Sequence, residues 1–73
     1  MTDPLLSALR KRYEGEIAIA KANINVYTTN PVGIGDHSDL VAAVDSEVER
    51  LSNFTDRLRT LNTLIANTAK GKF

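Results

Sequence analysis

The chain contains no cysteine, so neither a disulfide nor a thiolate metal site can support it. It has one histidine, which leaves a histidine-based metal site without enough ligands. Nine basic and nine acidic side chains cancel, so the basic excess of a dedicated nucleic-acid binder is missing. No apolar run approaches the roughly 20 residues that span a bilayer, so no membrane partner is expected. The N-terminal stretch also lacks the positive region and apolar core of a signal peptide. The 73 residues are enough for one small domain. A core in a chain of that size seldom stabilises it by more than about 3–5 kcal/mol. With disulfides and metals set aside, self-association is the remaining source of stability.

What the chain does have is two helical stripes around one break, Thr28-Thr29-Asn30-Pro31-Val32-Gly33-Ile34-Gly35-Asp36. The first helix is expected over about 3–28. Asp3 is a good N-cap, and Pro4 fits the first helical position, where its missing N–H does no harm. Leu6, Leu9, Tyr13, Ile17, Ala20, Ile24 and Tyr27 follow at spacings of three and four, one face of a helix. Gly15 interrupts the stripe at a cost of about 1 kcal/mol relative to alanine. It either permits a close helix contact or is simply tolerated.

The turn is expected over 29–36, and the second helix over about 37–70. Asp36 can cap it, and Asp39 stands three residues on, as in a capping box. Val44, Leu51, Leu58 and Ile65 recur every seventh residue, and Leu40, Glu47, Phe54 and Leu61 form a companion row. That is a coiled-coil seam of nearly four heptads. Gly71 is a natural stop. So short a break forces the helices antiparallel. The fold class is therefore all-α, an antiparallel two-helix hairpin. Pairing Tyr27 with His37 sets Ala20 near Val44, Tyr13 near Leu51 and Leu6 near Leu58. The second helix then outruns the first at Leu61, Leu64 and Ile65.

The apolar surface is wider than one stripe. Leu5, Ile19 and Val26 share a flanking heptad row on the first helix, while Val41, Val48 and Leu64 widen the face of the second. Contiguous surface of this kind marks an interaction site. The expected interface is Leu5, Ile19, Val26, Val41, Leu61, Leu64 and Ile65. The expected assembly is a homodimer forming a four-helix bundle, with a trimer or higher bundle next.

Candidate chemistry is sparse. The glycines of the turn precede a helix start, but no Gly-x-x-x-x-Gly-Lys-Ser/Thr pattern is present, and Asp36 and Asp39 would repel a phosphate. His37 between two aspartates is a weak metal or base signal that capping accounts for. Glu16 and Glu47 fall on seam positions roughly opposite each other, which could hold a metal. The expectation is that Ile17 and Val48 take the buried places and both glutamates turn to the rim. Tyr13, Tyr27 and Phe54 read as core. No catalytic, cofactor-binding or metal-binding residue is assigned, and the chain is expected not to be an enzyme. At the open ends of the helices Arg10, Lys11, Arg12, Arg57 and Arg59 form a basic pole, with Lys70 and Lys72 nearby. Helix-dipole complementarity and solvated faces explain most of the pattern on the second helix without any ligand.

The segment Arg12-Tyr13-Glu14-Gly15-Glu16-Ile17-Ala18-Ile19-Ala20-Lys21-Ala22-Asn23, then Tyr27 and Asn30-Pro31-Val32-Gly33-Ile34-Gly35-Asp36-His37, resembles small uncharacterised proteins of tailed marine bacteriophages that infect cyanobacteria. In that group the residue after the histidine is often proline, and here it is Ser38. The resemblance covers the first helix through the first half of the second. It implies a phage origin and a short helical fold, and it brings no activity or site residues.

The functional expectation is a non-enzymatic interaction or adaptor protein. Its expected partners are a second copy of itself and a host or phage protein, in the cytoplasm of an infected bacterium or in the virion. The alternative is a nucleic-acid-associated accessory factor working through the basic pole.

Overall fold

A computed structural model describes residues 3–29 and 39–71. Two helices make up its regular structure, α1 (Pro4–Thr29) and α2 (Leu40–Ala69), packed against each other as a hairpin. Asp36, His37, the turn glycines and Lys72 lie outside the described residues, as do the expectations attached to them.

α1 starts where its first residues dictate. The Asp3 carboxylate accepts hydrogen bonds from the backbone N–H of Leu5 (2.7 Å) and Leu6 (3.4 Å), and Pro4 is the first helical residue. At the other end the hydroxyls of Thr28 and Thr29 donate back to the carbonyls four residues earlier, Ile24 (2.8 Å) and Asn25 (2.6 Å), so each hydroxyl is satisfied within the last turns. α2 starts differently from the expectation. Asp39 is itself the residue before the first helical turn, and its side chain makes no capping bond. At the far end the N–H of Lys70 reaches Ala66 and Asn67 carbonyls, and Gly71 adopts φ +73°. That left-handed conformation is inexpensive for glycine alone.

The register comes from an aromatic pair. The rings of Tyr13 and Phe54 meet with centroids 5.7 Å apart and planes tilted by 51°. Stepping seven residues along each helix from that pair places Leu6 across from Leu61, Ala20 across from Glu47 and Tyr27 across from Leu40. This corrects the expected pairing of Tyr13 with Leu51. The observed ring partner of Tyr13 thus lies three residues beyond the expected one. The companion row Leu40, Glu47, Phe54 and Leu61 thus forms the centre of the seam.

That register also corrects the expected overhang. Leu61 is 3% exposed, and with Ala20 it is one of only two buried hydrophobic side chains among the described residues. It belongs to the hairpin's own core and is not free for an interface. Leu64 and Ile65 are half-buried. Gly15 is exposed, and a Cβ built there would meet nothing within 4 Å, so no close contact requires the glycine.

Candidate interaction surface

A helix advances about 100° per residue, so each heptad row faces one direction. Two observations fix which rows lie side by side. On one flank of the seam, Arg50 of α2 reaches Glu16 of α1: Nε lies 3.1 Å from Oε1, and Nη2 bonds the same oxygen. On the other flank, Tyr27 and Thr28 share an open groove of about 460 Å³ with Leu40, Val41, Val44 and Val48.

The Glu16–Arg50 flank is polar. Glu47 lies at the centre of the seam beside Ala20, with its side chain 16% exposed. Its Oε1 is buried without a hydrogen-bond partner and stands 3.7 Å from Arg50 Nη1, beyond bonding reach. Both glutamates are therefore partly buried and Val48 is left 48% exposed, against the expectation, while Ile17 is half-buried alongside Glu16. The cause is Arg50. Its long side chain neutralises both carboxylates from one position, and Ala20 leaves the space. The hydrogen bond that Arg50 donates to Glu16, helped by the charges of Glu16 and Glu47, holds the guanidinium above its ordinary pKa against the opposing effect of desolvation. Stability from a raised basic pKa is fully present below the ordinary arginine range and is lost only above it. This pair therefore gives no pH dependence near neutrality. Further along the same flank Arg57 stands over the Phe54 ring, 5.0 Å from its centroid. A cavity of about 210 Å³ lies beside it between Leu9, Tyr13, Leu61 and Leu64.

The opposite flank is apolar. Ile17 and Ile24 of α1 and Val44, Leu51, Leu58 and Ile65 of α2 are all half-buried, with Val41 (85% exposed) and Val48 outside them. The expected interface residues consequently divide. Val41 and Ile65 lie on this apolar flank. Leu5, Ile19 and Val26 are exposed on the polar one, in a row that Arg12 interrupts. Leu64 lines the polar-flank cavity, and Leu61 is internal.

The basic-pole residues share a height but not a face. Arg12 and Arg57 follow the polar flank, Arg10 the apolar one, and Lys11 and Arg59, each two residues before a seam position, stand at the outer edge of the apolar side. Arg59 is paired with Asp56 at 3.3 Å. Sequence reasoning missed Arg50. The signal was present, because a glutamate on a seam row with an arginine three residues later puts the neutralising charge on the same face.

Among the described residues no three His, Cys, Asp or Glu side chains cluster as metal ligands. Among them, too, no helix is long and apolar enough to cross a membrane. No family model, curated protein or solved structure matches the chain.

Proposed function

We propose that this chain is a small non-enzymatic interaction protein that pairs with a second copy into a four-helix bundle, and that the bundle docks a host or phage protein. One observation carries the self-association: the hairpin encloses too little. It exposes 5354 Å². A compact chain of 8.0 kDa exposes about 4,450 Å². The difference, roughly 900 Å², is close to the 800 Å² or so that each partner contributes to a standard interface. The extended form agrees: the radius of gyration is 16.3 Å, against about 11 Å for a compact domain of this length.

The phage assignment, and with it a place in the infected bacterial cytoplasm or the virion, rests on the sequence resemblance around Arg12–Asn23 and the turn. The basic-pole alternative gains nothing from the geometry, since those side chains are spread around the rod rather than gathered as a groove for phosphates.

Multi-angle light scattering from nanomolar to high micromolar concentration tests the reading. A mass near twice 8.0 kDa, with helicity rising as the dimer forms, is the expected result. A folded monomer throughout the range would refute it. Affinity capture with the tagged dimer from infected cells, against uninfected cells, then tests the partner.

A further inference from the structure

The apolar flank carries a pattern that specifies how a second copy would sit. Its α2 portion contains three adjacent heptad rows. The innermost is Val44, Leu51 and Leu58, the next is Val48 with Thr55, and the outermost is Asp45, Ser52 and Arg59. Placed antiparallel to itself about a two-fold axis at Leu51–Ser52, each row becomes self-complementary. Leu51 meets its own copy, Val44 meets Leu58, Val48 meets Thr55, and Asp45 meets Arg59 on both sides of the axis. All three rows require the same axis position within half a residue. The hairpin register places this axis level with Gly15–Glu16 on α1, so Ile17 lies within two residues of it.

We propose that the apolar flank is the homotypic interface, formed about this axis and locked at its rim by two symmetric pairs of Asp45 with the partner's Arg59. This deepens the self-association reading and rests on it. Three observations point to a second copy as the occupant. The surplus area is that of one side of a standard dimer interface. The outer row has opposite charges at mirror-related ends, so it complements itself. A closed two-fold contact uses the same patch on both copies and leaves the polar flank outward. Arg59 is available to the partner, because its bond to Asp56 is a surface pair with both side chains 74% exposed.

The test is a charge swap read by dimer dissociation constant. D45R and R59D each set like charges against each other twice per dimer, and each is expected to weaken the dimer about tenfold at low salt. The double variant D45R/R59D has the parent's net charge and restores complementarity. Its dissociation constant is expected to return to within about twofold of the parent. The chain lacks cysteine, so S52C provides an independent readout. It lies at the axis and is expected to form a disulfide dimer on mild oxidation, whereas A22C, on the outer face of α1, is not. A parent dimer whose single variants are unaffected, or are not rescued by the swap, overturns the axis and leaves self-association standing. So does cross-linking by A22C in preference to S52C. A parent that is monomeric at every concentration overturns both.

Discussion

The two flanks of the hairpin are built from the same two helices and the same heptads, yet they solve opposite problems. Where Glu16, Glu47, Arg50 and Arg57 line up, Arg50 reaches across the seam to Glu16, approaches Glu47 on its own helix, and Arg57 covers the Phe54 ring. Where Ile17, Ile24, Val44, Leu51 and Leu58 line up, nothing reaches across far enough to bury them. A long polar side chain covers a helix–helix seam from its edge, as the stem of Arg50 does. An aliphatic side chain needs a third helix over it. One flank thus carries a cross-helix ion pair, and the other carries only half-buried and exposed aliphatics.

Several substitutions sharpen or break this contrast. The largest effect is expected from Leu51→Glu. In a dimer it removes two buried leucines, each contributing about 1.5–3 kcal/mol, so the dissociation constant should rise more than 100-fold. Val26→Glu, on the polar flank, should change it by less than about twofold. Sedimentation equilibrium decides, and equal effects on both flanks would erase the distinction. Next comes the seam itself. Leu61→Ala should cost about 2–5 kcal/mol, enough to unfold most of the chain at room temperature, as followed by circular dichroism. A loss below about 1 kcal/mol would mean that Leu61 is not the core residue its burial indicates.

The polar centre should behave in the opposite sense. Glu47→Leu removes a buried oxygen that lacks a hydrogen bond and fills the space against Ala20. It should stabilise the fold by about 1–3 kcal/mol in chemical denaturation. Destabilisation would show that the 3.7 Å approach to Arg50 counts for more than the missing bond. The smallest effect is Gly15→Ala, a gain of about 1 kcal/mol at an open helical position, measured as a rise in melting temperature. A fall would reveal a contact at Gly15 that the hairpin alone does not contain.

Much of this was legible in the amino-acid order. The Asp3-Pro4 start, the three-and-four spacing to Tyr27 and the heptads from Leu40 onward define two helices, and the short break makes them a hairpin. The register was not legible. Spacing fixes which face of a helix is apolar, but sliding one helix by a turn keeps both faces in contact. The choice falls to particular contacts, Tyr13 on Phe54 and Glu16 with Arg50. The fate of Glu47 was misjudged for a different reason: whether a carboxylate turns in depends on a cation in reach, and Arg50, three residues on in the same helix, was overlooked. The division of the surplus aliphatics between two flanks follows from the register, since it sets which rows become neighbours.

The layered pairing around Tyr13 and Phe54 has a kinetic side. Tyr27 and Leu40 are 13 positions apart in the chain, whereas Leu6 and Leu61 are 55 apart. Closing the outer layer first would cost about 1.3 kcal/mol more loop entropy than closing the inner one. Each inner layer, once formed, brings the next within reach, so the hairpin closes like a zip from the turn outward. The most deeply enclosed leucine is thus the last to be covered and the first to be released.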